Sequence, residues 1–242
     1  MANNKHLNTW KDTDVAAHWD QVAHRYMAEN NKVKDAHDQR FSFAVQHLEL
    51  KPMLQVLNIS SRDAEAAEYI RKFDESILTV NAEISAKLML VAAQLRPWVT
   101  QVKIDTYSNL PFMPAIYDRI LTLETLEHVE NPIAFLTELY RVAKPGAIMV
   151  LSCPPLTSEW PYRIFTFLFG GHGEGPHRFL PSREVKEMLA ETGWQLQLHR
   201  GTLLLPVGPR PLKKAAEWFI HTFQNTFVSE LGIRQFYVCK KS

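Results

Sequence analysis

AIYDRILTLETLEHVENPIAFLTELYRVAKPGAIMVLSCPP, residues 115–155, is the stretch from which the rest of the chain can be placed. Its apolar run from Ile116 to Leu123 reads as a buried strand. A polar knot follows, from Glu124 to His128. Asn131-Pro132 then opens an amphipathic helix with Ile133, Phe135, Leu136, Leu139, Tyr140 and Val142 on one face. Lys144-Pro145-Gly146 stops that helix, and Ala147 to Ser152 is a second apolar strand. Strand–helix–strand of this length predicts two parallel strands joined by a right-handed crossover. The polar knot falls at the carboxyl end of the first strand, where open α/β sheets place their ligands.

Working outward, the same alternation continues upstream. Residues 12–30 and 33–48 have helical spacing, and Lys51-Pro52 breaks the second helix. Strands are expected at Leu54–Ile59, Ile77–Val80 and Val99–Ile104, with helices at Ala64–Phe73 and Ile84–Leu95 between them. Such alternation predicts a parallel α/β sheet with both faces covered. Downstream of Pro155 the chain changes character. Trp160, Tyr162, Phe165, Phe167 and Phe169 crowd one segment, followed by the glycine- and histidine-bearing run Gly170–Arg178. A helix from Pro181-Ser182 to Glu191, a strand from Trp194 to His199, an amphipathic helix from Leu212 to Phe227 and a strand from Ile233 to Cys239 complete the pattern.

Composition narrows the function. The 242 residues suit one α/β domain with insertions, and 46% are hydrophobic, enough for a sizeable core. A formal net charge of +1 without a long basic run gives no reason to expect nucleic acid. Cys153 and Cys239 lie in or beside apolar strands and read as buried free thiols of a reducing compartment. With a polar start and no membrane-length apolar run, a cytoplasmic protein is expected. Oligomeric state is not legible. Of nine glycines, the first is Gly146. Rossmann-type dinucleotide loops and P-loops need glycine for tight turns and close backbone approach, which disfavours a kinase, an NTPase or a standard NAD enzyme.

Several short motifs recur in a recognisable order: Leu110-Pro111-Phe112, Tyr117-Asp118, Leu126-Glu127-His128-Val129, Asn131-Pro132, Arg141-Val142-Ala143-Lys144-Pro145-Gly146 and Glu191-Thr192-Gly193-Trp194. In this order the chain resembles the class I S-adenosylmethionine (SAM)-dependent methyltransferases, in the small-molecule branch that includes ubiquinone-biosynthesis O-methyltransferases. The resemblance implies a Rossmann-like seven-stranded sheet whose last strand, here Ile233–Cys239, runs antiparallel between its neighbours. It also implies SAM as cofactor and a small-molecule acceptor. Residues 1–50 would form an N-terminal helical lid. Residues 51–242 would form the Rossmann-like domain, with cap insertions at about 153–180 and 200–231.

One segment departs from the family. After the first strand the family carries D-x-G-x-G-x-G, whereas this chain has Asn58-Ile59-Ser60-Ser61-Arg62-Asp63-Ala64. The acid position holds Asn58, and the glycine positions hold Ser60, Arg62 and Ala64. A non-glycine residue at positive φ costs about 1 kcal/mol or more, and its β-carbon fills space toward the cofactor. Arg62 offers a compensating charge for the cofactor's carboxylate. The segment reads equally as a capped helix start. Elsewhere the resemblance places Glu83 on the ribose hydroxyls, Ile84 beside it, and Asp105 or Thr106 at the adenine. Glu83 and Asp105 read alternatively as ordinary loop acids.

The polar knot carries its own chemistry. Glu124, Glu127 and His128 are spaced i, i+3, i+4 and share a face if the turn is helical. Two carboxylates and an imidazole suit Mg²⁺, Mn²⁺ or Fe²⁺. An E-x-x-E-H segment binds Mg²⁺ in ubiquinone-biosynthesis and small-RNA 2′-O-methyltransferases; here a later histidine, His177 or secondarily His172, would complete the site. The competing readings make His128 a general base or a hydrogen-bonded structural group, with Glu124 beside the cofactor. Two functions follow: methyl transfer from SAM to a small molecule, lipid- and sugar-linked acceptors included, or a methyltransferase fold serving as a binding or regulatory subunit.

Overall fold

The computed structural model describes residues 6–32, 34–160, 175–205, 209–224 and 226–242. Helices α1 (Asp12–Lys32) and α2 (Lys34–His47) precede the alternating part of the chain: β1 (Gln55–Ile59), α3 (Glu65–Phe73), β2 (Leu78–Glu83), α4 (Ala86–Leu95), β3 (Thr100–Lys103), β4 (Tyr117–Leu123), α5 (Pro132–Val142) and β5 (Ala143–Cys153). Then come α6 (Ser182–Glu191), β6 (Trp194–Thr202), α7 (Arg210–Thr222) and β7 (Arg234–Lys241). The seven strands form one sheet in the order β3-β2-β1-β4-β5-β7-β6. Strands β1 to β5 pair in parallel, and β7 lies antiparallel between β5 and β6. This is the topology expected from the sequence, including the reversed last strand.

Both faces of the sheet are buried, which explains why its central strands read as near-continuous apolar runs. Side chains alternate between two cores. Leu57, Ile59, Ile120, Met149 and Leu151 point to one, packed against α1, α4, α5 and α6. Val56, Leu121, Val150 and Phe236 point to the other, packed against α2 and α3. The two N-terminal helices therefore serve different faces: α1 contributes Val15, Trp19 and Val22 to the first core, and α2 contributes Phe41, Phe43 and Leu48 to the second.

Helix starts follow local chemistry. Asn131 caps α5 by accepting the Ala134 N–H, with Pro132 in the first turn. Ser85 caps α4 by accepting the Leu88 N–H at 3.1 Å. Two sequence readings need adjustment. Strand β5 begins at Ala143 rather than Ala147, because Tyr117 already pairs with Ala143; a register shift before Arg119, with Gly146 at φ 77°, absorbs the Lys144-Pro145-Gly146 stop. The polar knot is a turn rather than a helix, since Glu124 adopts φ 52°.

Phe135 holds the crossover helix to the crevice side of the sheet. It is fully buried, with its ring edge-on to Tyr107 at 5.4 Å. Phe135→Ala is expected to cost about 3–5 kcal/mol, read by urea unfolding. A loss below about 1 kcal/mol would place the ring outside the packed core.

Candidate functional site

The carboxyl ends of β1, β2 and β4 converge on one edge, and the loop after β1 makes its floor. Ser60, Arg62 and Ala64 have φ of 55°, 54° and 61°. Three alternate residues of this loop, none of them glycine, therefore keep a left-handed backbone. Each costs about 1 kcal/mol. Ala64, fully buried, is also the N-cap of α3 and has no side-chain oxygen to offer the helix.

Glu83, at the end of β2, ties this loop to the next. Its carboxylate accepts the Arg62 N–H at 2.7 Å, the Ile84 N–H at 2.8 Å and the Ser85 N–H at 2.9 Å. No solvent reaches it. The Arg62 side chain turns back over the same carboxylate, with Nη1 3.7 Å from Glu83 Oε1. Its guanidinium carbon stands 3.8 Å from the centre of the Trp19 ring, a cation–π stack. Burial lowers the affinity of Arg62 for its proton, but Glu83, Tyr107, Tyr26 and Glu127 outweigh that and raise its pKa. Nη1 is buried without a hydrogen-bond partner among the described residues.

Trp19 belongs to α1, which is stapled across the sheet edge. Asp20 accepts the Ser85 hydroxyl at 2.6 Å and the Lys87 N–H at 3.0 Å. Asp12 accepts the Thr106 hydroxyl at 2.6 Å, the Tyr107 N–H at 2.8 Å and the Glu130 N–H at 2.9 Å. Trp10 donates its indole N–H to the His128 carbonyl at 2.6 Å. These contacts roof the crevice from β2 across to β4. The roof was legible only as an amphipathic helix; the acids Asp12 and Asp20 were its unread signal.

The predicted site residues divide. Ser60, Arg62, Glu83, Ile84, Glu127 and His128 gather at the crevice. Asn58 instead donates to the Asn81 side chain at 2.8 Å, bridging β1 to β2. Asp105 is turned outward, its side chain 97% exposed beside Lys103. Thr106 is engaged by Asp12. Tyr107 takes the buried position, receiving the Ser60 hydroxyl at 2.9 Å; nothing in the sequence distinguished it from core.

The expected metal set is not assembled. With Glu124 at positive φ, the i, i+3, i+4 residues do not share a helical face. Glu124 accepts from Ser152 at 2.6 Å and Arg234 at 3.0 Å. Burial raises its pKa, but Arg234, Arg40 and Ser152 prevail and hold it below the ordinary glutamate value. It is a structural ion pair to β7. His128 donates Nδ1–H to the Pro176 carbonyl at 2.8 Å, and its Nε2 lies 3.9 Å from Glu127. His177 approaches ring-to-ring at 6.1 Å. Among the described residues no group of three His, Cys, Asp or Glu could hold a metal ion. His172 and the aromatic residues 162–169 lie outside the described residues.

The groups that would hold SAM, Glu83 and the loop after β1, are present but covered. The chemistry of a carboxylate beside a left-handed backbone cradle is present, but the Arg62 guanidinium and the Trp19 ring fill the space above it.

Burial, then Arg62, pull the His128 pKa from 6.5 to about 3, so the imidazole stays neutral in the folded protein. A depressed histidine contributes stability above pH 6.5 that is lost as pH falls toward 3, at up to about 1.4 kcal/mol per pH unit. His128→Gln should flatten the fall in unfolding free energy between pH 6.5 and 4.5; an unchanged slope would contradict the shift. Ala64→Gly should raise stability, by up to about 1 kcal/mol, in chemical denaturation. Destabilisation would mean that the left-handed turn carries no strain.

Comparison with known proteins places this geometry. A methyltransferase-domain family matches residues 57–151. The demethylmenaquinone methyltransferase of Streptomyces avermitilis is 25% identical over 139 residues, covering 57% of this chain and 59% of that protein. The ubiquinone biosynthesis O-methyltransferase of Maricaulis maris is 30% identical over 106 residues, covering 38% of this chain and 39% of that one. The chain thus spans about three fifths or less of these relatives. Among solved structures, a SAM-dependent methyltransferase of Thermotoga maritima, described as a possible histamine N-methyltransferase, superposes with TM-score 0.67 at 16% identity over 94% of this chain and all of that one. The [4+2]-cyclase SpnF superposes with TM-score 0.68 at 14% identity, over 96% of both chains. At these identities the structures speak for the fold alone. Matched motifs, strand order and relatives agree: over residues 57–151 the chain matches a methyltransferase-domain family, and it is similar to SAM-dependent methyltransferases of the small-molecule type.

Proposed function

We propose that the chain transfers a methyl group from SAM to a small, apolar acceptor, and that the closed crevice is its resting arrangement. The observation that carries this reading is the loop after β1. Ser60, Arg62 and Ala64 all hold a left-handed backbone that none of them favours. A segment that only started a helix would have no need of three such residues, and backbone strain of this kind concentrates at functional sites. The names of the two relatives described above, a demethylmenaquinone methyltransferase and a ubiquinone biosynthesis O-methyltransferase, support an apolar acceptor.

Admission of SAM requires α1 to shift, because Trp19 roofs the floor loop. His128 sits at the edge of the crevice with Nε2 unprotonated, since Nδ1 carries the hydrogen donated to Pro176. A pKa near 3 makes it a weak base in the closed form. Withdrawal of Arg62 removes the second of the causes that depress it. Methyl transfer asks mainly for an acceptor held in line, because the sulfonium is already a strong electrophile.

A second reading has its own observation. The Arg62–Trp19 stack fills the crevice, which favours a methyltransferase fold that binds or regulates without transferring methyl groups. Calorimetry with SAM and S-adenosylhomocysteine separates the two. The methyltransferase reading expects saturable binding in the micromolar range by the wild-type chain; no heat at millimolar ligand would overturn it in favour of the second. EDTA should change neither the binding nor the melting temperature, since Glu124 is committed to Ser152 and Arg234. A drop in either would reinstate a metal.

A further inference from the structure

The crevice is occupied by the protein itself: Trp19 roofs it, and Arg62 is the side chain that lies between that roof and Glu83. Arg62 is nine-tenths buried although its guanidinium reaches no hydrogen-bonding acceptor from Nη1. A buried cation with an unpaired donor is costly unless something compensates. Here the compensation is the face of Trp19 at 3.8 Å and the Glu83 carboxylate at 3.7 Å. Neither is an ideal partner. The carboxylate is beyond hydrogen-bond range, and its oxygens are already engaged by the N–H groups of Arg62, Ile84 and Ser85. The side chain is therefore held in the crevice by a stack and a loose ion pair, and not by fitted hydrogen bonds.

The backbone under it has the opposite character. The loop is anchored through the Arg62 N–H to Glu83 at 2.7 Å and through the Ser61 N–H to the Ala82 carbonyl at 3.1 Å. Neither bond involves the Arg62 side chain. Removing that side chain leaves the floor in place and vacates the space above it. Glycine at this position would also relieve the φ of 54°.

We infer that Arg62 is an intramolecular plug: its guanidinium, stacked on Trp19 and facing Glu83, occupies the crevice and must be displaced before an adenosyl ligand enters. The inference rests on the proposed function in that the ligand it names is the adenosyl cofactor. Its distinctive consequence is a gain of binding on deletion. A residue that held the ligand would give a loss.

The test is calorimetric titration of the full chain with S-adenosylhomocysteine, comparing wild type, Arg62→Gly and Arg62→Ala, with thermal melts to establish that each variant is folded. Arg62→Ala keeps the test open if the glycine loosens the loop. The plug predicts that both variants bind about tenfold or more tighter than wild type, as expected when a closed state no longer competes with the ligand. Binding that is equal or weaker in the variants, with wild type saturating, overturns the plug and leaves the proposed function standing. Binding by the variants alone supports the plug and overturns methyl transfer by the wild-type chain. Failure of all three to bind at millimolar ligand overturns both.

Discussion

The Glu83 carboxylate is the point on which this sheet edge depends. It is withdrawn from solvent at the end of β2 and gathers three backbone N–H groups from two different loops. A buried carboxylate needs such donors, because each missing hydrogen bond leaves an expensive unsatisfied charge. Satisfying it fixes the loop after β1 against the start of α4, and so fixes the floor of the crevice. Arg62 enters this arrangement twice. Its N–H is part of the anchor, while its side chain lies over the anchored carboxylate and under Trp19. One residue thus holds the floor and fills the space above it.

The roof is equally specific. Asp12 and Asp20, one at each end of the described α1 contacts, accept hydrogen bonds from residues following β2, β3 and β4. The helix is therefore docked by polar contacts at its margins and by Val15, Trp19 and Val22 along its apolar face. Any ligand that uses this edge must negotiate both. Fold alone does not decide the outcome: solved structures of similar shape include a methyltransferase and a [4+2]-cyclase.

Most of the sheet was legible because its signals are local and periodic. The run from Ile116 to Leu123, the Asn131-Pro132 helix start and the apolar face of α5 all stand in the structure where the sequence placed them. Part of the site was legible as well: Arg62, Glu83 and His128 do meet at one edge. What escaped was long-range or conformational. The pairing of Arg62 with Trp19 joins residues 43 positions apart, and no spacing rule reports it. The i, i+3, i+4 acids and histidine of the polar knot would share a face only in a helical turn, and the backbone angle at Glu124 instead sends Glu124 to Ser152 and Arg234 and His128 to Pro176. Asp105 satisfied a motif by position and faces solvent, while its neighbour Tyr107 turned inward.

Trp19 and Arg62 close the crevice by stacking, and ligand entry separates them. Fluorine NMR of 5-fluorotryptophan-labelled protein reads this directly, with the Trp19 line assigned by Trp19→Phe. Titration with S-adenosylhomocysteine should move the Trp19 line saturably, in step with the heat of binding, as the cation leaves the ring. A Trp19 line that stays in place while the ligand binds would contradict the account.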